Sequence, residues 1–287
     1  MKYQFISAHL GEYGVARMCR VLGISRSAYY AWRAAPESQR QKADKALSER
    51  LKDVFENSQQ TYGSRRIRAA LRQAAICCGR MRIVRLMREA GLSVPLKRRR
   101  VFTTRANSLD PQGENKLGRD FTATYPNQKW LVDITYGATD EGYLYLAAVL
   151  DLFSRKIVGW AMDDNLRDEL TQAALRMALL TREPEPGLLH HSDRGSQYTS
   201  IEYCALFENA GIQVSLSRAH NCFDNAPMES FWGKLKTECL YRHLFKTRAE
   251  ARNVIFAYLE GFYNRKRLHS TLGYQSPHQF EQAFWTN

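Results

Sequence analysis

Residues 130–163 read WLVDITYGATDEGYLYLAAVLDLFSRKIVGWAMD, and their pattern decides the fold. WLVDITYGAT (130–139) alternates as a half-buried strand does, and DEG (140–142) has turn composition. YLYLAAVLDLF (143–153) is a continuous apolar run of the kind a buried central strand carries, and KIVGWAMD (156–163) makes a third strand. Working C-terminally, LRDELTQAALRMALLTR (166–182) has an amphipathic helical period, LLHHSD (188–193) is a short strand, and SIEYCALFENAG (200–211) is a helix ending at Gly211. IQVSLS (212–217) supplies a fifth strand. DNAPMESFWGKLKTECL (224–240) predicts a helix capped by Asp224, and AEARNVIFAYLEGFYN (249–264) predicts another. Three successive strands, then helices and strands in alternation, predict an α/β domain with a mixed sheet over residues 126–287.

Upstream the pattern is all-helical. Residues 13–33 read as two short helices around Gly23, with Val15, Met18, Cys19 and Leu22 on one face and Ser25 as the cap of the second. Residues 1–33 are therefore expected to form a helix-turn-helix, with Arg26 in the first turn of its recognition helix. A second such region is expected over 45–92. GSRRIRAALRQ (63–73) buries Ile67 and Leu71, GRMRIVRLMREAGL (79–92) buries Ile83, Leu86 and Met87, and Gly91 stops the helix. Residues 93–125 contain the charge run KRRR (97–100) and many turn formers, and are expected to be a linker.

The chain has 287 residues, long enough for two domains. Its charge is unevenly divided. Residues 1–100 hold 22 Lys and Arg against 7 Asp and Glu; the remainder holds 20 against 22. Eight arginines fall between Arg65 and Arg88, with one acid, Glu89, beside them. A solvated bundle face is the plain reading of arginine-decorated helices, but this density favours binding of double-stranded DNA, with Arg26, Arg65, Arg66, Arg85 and Arg88 as candidate contacts. Six cysteines lack CxxC spacing, which disfavours a zinc ribbon or a disulfide framework. No apolar run reaches the roughly 18–20 residues of a membrane span, and no secretory signal is read, so a cytoplasmic protein is expected.

Three acids stand out. Asp133 lies between Val132 and Ile134 inside a strand, Asp193 ends the strand LLHHSD, and Glu229 shares a helix face with Trp232, Gly233 and Lys236. Taken singly, they read as a hydrogen-bonded core Asp, a turn Asp and a surface Glu. Together they can converge into one oxygen cluster. Hard oxygen ligands suit Mg²⁺ or Mn²⁺, and two such ions about 3.5–4 Å apart serve phosphoryl transfer.

PNQKWLVDITY (126–136), YLYLAAVLDLFSRKIVGW (143–160), HHSDRGSQYTS (190–200), DNAPMESFWGKLKTE (224–238) and YNRKRLHSTLGYQSP (263–277) resemble the DDE transposases of bacterial insertion sequences. The similarity is to the second-reading-frame (OrfB) product of the insertion-sequence-three family. YGSRRI and VRLMREAGL resemble that family's helix-turn-helix region. The resemblance implies an RNase H-like catalytic domain related to retroviral integrases. It implies catalytic and metal-holding roles for Asp133, Asp193 and Glu229, and DNA contact by Lys236. Asn264, Arg267 and His269 belong to its C-terminal motif, where His269 reads as a DNA contact or, slightly preferred, as a core histidine. It further implies metal-dependent cleavage at element ends, strand transfer by a 3′-OH, homo-oligomers on DNA, a bacterial nucleoid-associated location, and an upstream-frame (OrfA) partner or fusion. No heptad is sustained here that would make a zipper. The rival readings are a DNA-binding regulator on an inactive scaffold and a nuclease that only hydrolyses.

Overall fold

The computed structural model of the protein describes residues 1–34, 37–94, 114–198, 200–218 and 222–286. It divides into two compact units, 1–51 and 52–287. In the first, α1 (Lys2–Ala8), α2 (Val15–Leu22) and α3 (Arg26–Ala34) enclose a small core of Ile6, Met18, Cys19 and Tyr29. Gly23 turns the chain in the left-handed region at φ 63°, and Ser25 Oγ accepts from the Ala28 amide at 3.0 Å to cap α3. The fourth helix, α4 (Gln39–Asn57), begins in the first unit and ends in the second.

The second unit opens with α5 (Ser64–Gln73) and α6 (Arg80–Glu89), which bury Ile67, Leu71, Ile83, Leu86 and Met87 as expected. α5 and α6 fall in the same compact unit as the sheet, 52–287. The linker expected over 93–125 is also shorter than predicted. Residues 95–113, including the KRRR run, lie outside the described residues. From Glu114 the chain lies against the sheet domain. The Leu216 amide donates to Glu114 O, the Leu117 amide donates to Ser215 Oγ at 3.0 Å, and Leu117 is buried.

The sheet contains β1 (Lys129–Thr139), β2 (Gly142–Asp151), β3 (Ile157–Asp163), β4 (Leu189–Ser192) and β5 (Gln213–Leu216), in the order β3-β2-β1-β4-β5. The first three strands pair antiparallel; β4 joins β1, and β5 joins β4, in parallel. This is the RNase H-like arrangement. β1 and β2 pair through Asp133 opposite Ala148, which fixes which residues face which layer. Trp130, Val132, Ala147, Val149 and Val158 pack on one face against Leu170, Ala174, Leu175 and Ala178 of α7 (Asp168–Arg182) and Tyr203 and Phe207 of α8 (Ile201–Ala210). α9 (Ala226–Glu238) packs on β1.

α9 starts two residues later than the sequence predicts, and Asp224 is not its cap. The Asp224 carboxylate is fully buried and is held by Arg218 Nε (2.9 Å), Arg218 Nη2 (2.8 Å), Arg119 Nε (2.7 Å) and Asn115 Nδ2 (2.9 Å). Asn225 takes the cap position instead, and its side chain donates to Val132 O at 3.2 Å. The helix predicted over 249–264 is α10 (Arg248–Phe256) followed by a π-helical turn, Ala257–Tyr263. The last helix is α11 (Pro277–Thr286). No helix among the described residues is long and apolar enough to cross a membrane.

β3 approaches α7 at Gly159. A Cβ there would lie 2.3 Å from Ala174 O and 2.7 Å from Ala178 Cβ. Backbone cannot yield by that much, so Gly159→Ala should destabilise the second unit by about 1–3 kcal/mol. Chemical denaturation measures this; an unchanged midpoint would show that β3 and α7 do not meet at Gly159.

Candidate active site

Asp133 sits mid-strand, on the side of β1 opposite the α7–α8 core. Both of its oxygens are engaged. Oδ1 accepts from the Ile134 amide at 2.8 Å, and Oδ2 accepts from the Trp232 indole at 2.9 Å. Trp232 lies on α9 three residues after Glu229, so the bond sets the helix face that carries Glu229 against β1. Asp193 follows the last residue of β4, and the Gly195 amide donates to its Oδ1 at 3.0 Å. A Cβ on Gly195 would lie 3.1 Å from that oxygen, which explains a glycine in DRG.

Asp133 lies within range of the charges of both other acids. Removal from water pushes the Asp133 carboxyl up to about 7, and the charges of Asp193 and then Glu229 add to the rise. Partial removal of its carboxyl from water raises Asp193 in the same direction, against the bond from the Gly195 amide. Among the described residues, no three His, Cys, Asp or Glu are gathered tightly enough to hold a metal ion. The acids are near enough to repel and are not drawn into a single ligand set. The donor chemistry, carboxylates alone around one poorly solvated acid, suits a hard divalent cation.

The two histidines of the neighbouring strand are buried and hydrogen-bonded within the fold. Burial lowers His190 to about 3 and His191 to about 4, so both are neutral at physiological pH. His190 shares a hydrogen bond with Tyr203, and His191 shares bonds with Ser215 and Ser217. Lys236 is half-buried two turns beyond Glu229, with its ammonium 5.5 Å from the Tyr136 ring centre.

The C-terminal motif is structural support. Asn264 Oδ1 accepts from the Ile157 amide at 2.9 Å and its Nδ2 donates to Ile157 O at 3.0 Å, so this side chain pairs the start of β3 as a strand would. Arg267, with no exposed surface, clamps Glu238 at the end of α9 through Nε (2.6 Å) and Nη2 (2.5 Å). Tyr258 donates to the same carboxylate at 2.9 Å. His269 is buried, with Nδ1 3.1 Å from Thr271 Oγ1.

The arginines separate into groups. Arg26, the first residue of α3, is exposed, as are Arg65 and Arg88. Arg66 was expected on DNA, but it is drawn inward to Glu238, 3.5 Å away and 172 positions along the chain. Arg85 pairs with Glu89 one helical turn away at 3.0 Å.

Several residues of the site were not singled out from sequence. Trp232 was seen only as a face-mate of Glu229; nothing in its spacing identifies its acceptor. Tyr198 is buried close enough to Asp133 and Asp193 for their charges to help raise its phenol, and its hydroxyl has no hydrogen-bond partner among the described residues. It follows Asp193 by five positions within HHSDRGSQYTS (190–200), the signal that the sequence carries. Glu238 and Lys234 share α9 with Glu229; burial, then the Arg267 charge, lowers Lys234 to about 7.

The integrase core domain matches residues 123–222 and a second integrase core domain matches 210–277; an HTH-like domain matches 42–100. The chain is 45% identical over 267 residues to the insertion element IS600 uncharacterized 31 kDa protein of Shigella sonnei, covering 93% of this chain and 98% of that one. It is 40% identical over 284 residues to the transposase InsF for insertion sequence IS3A of Escherichia coli (strain K12), covering 98% of each. Among solved structures, the HTLV-2 integrase catalytic core domain in complex with magnesium aligns at 17% identity and TM-score 0.45, over 56% of this chain and 99% of that one.

The raised Asp133 has a thermodynamic consequence. An unfolded Asp titrates near 3.9. Between about pH 4 and 7 the folded protein keeps a proton that the unfolded chain releases, so this group's contribution is lost as pH rises through 7. In chelator the native protein should therefore lose about 2 kcal/mol more stability between pH 4 and pH 8 than Asp133→Asn does, because the variant has no carboxyl to ionise there. Melting curves of both proteins across this range test it; parallel pH profiles would contradict the assigned environment.

What aligns over nearly the full length of both chains includes the strand of Asp133, the loop of Asp193 and the helix of Glu229 alike, and on that identity the chain belongs to the IS3 family of transposases.

Proposed function

We propose that this transposase cuts DNA at the ends of its insertion sequence and joins the exposed 3′-OH to a second phosphodiester, with Asp133, Asp193 and Glu229 as its catalytic acids. The observation that carries this reading is the placement of Asp133, held by Trp232 of the helix that bears Glu229, within range of the charges of Asp193 and Glu229, which add to a rise that burial dominates. A binding protein gains nothing from such a cluster, which costs stability whenever it is ionised.

Asp133, Asp193 and Glu229 would hold divalent cations, Mg²⁺ or Mn²⁺, and two ions match the chemistry of both steps. When bound, such ions activate an attacking hydroxyl and stabilise a leaving oxygen. The chain's own residues supply the rest. Trp232 and the Ile134 amide orient Asp133 before DNA arrives, and the Gly195 amide orients Asp193. Lys236 is about 10 Å along α9 from Glu229, a reach suited to a phosphate beside the scissile bond. In the first step water adds to the phosphorus and the 3′-oxygen leaves. In the second step that 3′-OH attacks another phosphodiester, first at the element's other end, and a new P–O bond replaces the broken one. Two ends must be held at once, so two or more copies of the chain act together. An upstream-frame protein, or fusion to it, would contribute further end recognition.

Oligonucleotides carrying the element ends, incubated with Mg²⁺ or Mn²⁺, test the reading. Asp133→Asn, Asp193→Asn and Glu229→Gln should each abolish cleavage and joining while duplex affinity stays within about twofold, because acids of one site act as a unit. A variant that joins at near-native rate removes its residue from the site. Cleavage without transfer of a supplied 3′-OH end indicates a nuclease. Millimolar Mg²⁺ or Mn²⁺ should also raise the melting temperature of the full chain, and the three variants should lose that rise.

A further inference from the structure

We propose that Tyr136 and Tyr143, on the hairpin of β1 and β2, form a stacking platform for a base that has left the duplex beside the scissile phosphate. The inference rests on the reading of this chain as an enzyme that cuts and joins DNA ends, and it adds a feature of the substrate: local unpairing at the reacting position. It involves none of the arginine-bearing helices and none of the three acids.

The strand period places the rings. Trp130, Val132 and Ile134 of β1 turn to the α7–α8 core, and Tyr136 continues that face beyond the core's edge. Ala147 and Tyr145 of β2 do the same, and Tyr143 follows them outward. The register sets Tyr136 opposite Tyr145 and Tyr143 opposite Ala138. Three rings therefore cluster. The centroids of Tyr136 and Tyr143 are 4.9 Å apart, and that of Tyr145 lies 6.3 and 6.4 Å from them. Cross-strand aromatic pairs stabilise hairpins, and Tyr145, packed against the core, serves that purpose. It does not require the outer two rings to stay bare. Yet Tyr136 is 50% and Tyr143 52% exposed, and the exposed Ala138 beside them is too small to cover either. The hairpin that carries them is fixed. Thr139 Oγ1 donates to Gly142 O at 2.7 Å, the Asp140 amide to Phe245 O at 3.0 Å, and Arg248 Nε to Tyr143 O at 3.1 Å.

Their place relative to the acids ties the rings to DNA. β4 pairs with β1 only from Lys129 to Leu131, so beyond Leu131 that edge of β1 is left to α9. Lys236 of α9 brings its ammonium to 5.5 Å from the Tyr136 ring centre. A backbone phosphate drawn to this ammonium has its own nucleotide beside an aromatic ring. Asp133 and Tyr136 stand three residues apart on one strand, about 10 Å, or about three base steps of duplex. Their side chains leave β1 on opposite faces, so a DNA strand crossing this edge presents a phosphate to one face and a base to the other. Asp163, the acid paired with Tyr145, is in β3, on the side of the cluster away from β1. A base inside a duplex has both faces occupied by its neighbours; it meets a protein ring face to face only after it unstacks. A tyrosine then replaces the lost stacking whatever the base, because every base has a π-face.

The test measures binding of the full chain to two duplexes with the same element end, one fully paired and one with mismatched positions beside the scissile phosphate. Chelator is present and no strand is cut, so failure of the catalytic reading leaves the measurement intact, and failure of the platform leaves the catalytic acids untouched. The native chain should bind the mismatched duplex about tenfold more tightly, because the cost of unpairing is removed beforehand. Tyr136→Leu with Tyr143→Leu keeps apolar bulk and removes the aromatic faces. It should weaken binding of the mismatched duplex about tenfold or more and of the paired duplex less, so that the preference disappears. Tyr136→Phe with Tyr143→Phe keeps the faces and should keep the preference. A 5-iodouracil at the mismatched positions should cross-link on irradiation to the peptide that carries Tyr136 and Tyr143. Equal native affinity for the two duplexes overturns the proposal, as does a cross-link confined to other peptides. A preference that survives in the leucine pair, with or without a lower melting temperature, shows that the rings only brace the hairpin. Loss of the preference in the phenylalanine pair assigns it to the hydroxyls and overturns stacking.

Discussion

The hydrogen bond from the Trp232 indole to Asp133 joins the two layers on which everything else is hung. An ionised carboxylate in the middle of a strand cannot stay unpartnered. The indole supplies one partner from α9 and the Ile134 amide supplies another from the strand itself. Neither bond offsets the cost of burying the charge, to which repulsion from Asp193 and then Glu229 adds, and so the carboxyl still stands near 7. The arrangement is stable enough to hold the acids in place and unfavourable enough to welcome a cation.

A second fixed point keeps α9 in register. Glu238, nine residues after Glu229, accepts from Arg267, Tyr258 and Arg66. Removing one member of a buried charge network typically costs about 3–5 kcal/mol, because the other is left uncompensated. Glu238 thus ties three parts of the chain to the helix that bears Glu229: α5 of the helical arm, the π-helical turn's Tyr258 and the C-terminal motif. With Trp232 at mid-helix and Glu238 at its end, α9 is held at two points, and Glu229 has little freedom to drift.

The sheet was legible because strands write their burial into a period of two, and because β2, covered on both faces, reads as an unbroken apolar run. Asp133 was legible because an acid among β-branched neighbours is costly. That logic does not by itself separate site from scaffold. Asp151, at the end of the apolar run of β2, is even more deeply buried than Asp133, yet it accepts from the Asn127 and Ser154 amides and the Ser154 hydroxyl and is a closed structural unit. Only the neighbours brought by folding distinguish the two. What sequence did not reveal were long-range side-chain choices. Arg66 finds Glu238 across 172 positions, and Asn264 pairs with Ile157 across 107. Residues 114–125 read as linker because their contacts are single polar bonds, such as Arg119 and Asn115 to Asp224, which leave no periodic trace.

The charge asymmetry of the chain also changes meaning once folded. The first hundred residues hold the excess of Lys and Arg, which suggested a separate DNA-binding arm attached by a linker to a neutral catalytic domain. The fold makes α5 and α6 part of the catalytic unit, so much of that charge is fixed relative to Asp133. A flexible tether would give DNA affinity without direction. A rigid seam, bonded through Tyr62, Gln73 and Arg66, makes every phosphate bound by the helices constrain where the duplex runs over the sheet. On the proposed reading, binding energy gained at the arginines would help to orient the scissile bond, the use to which remote contacts are put when positioning limits the reaction.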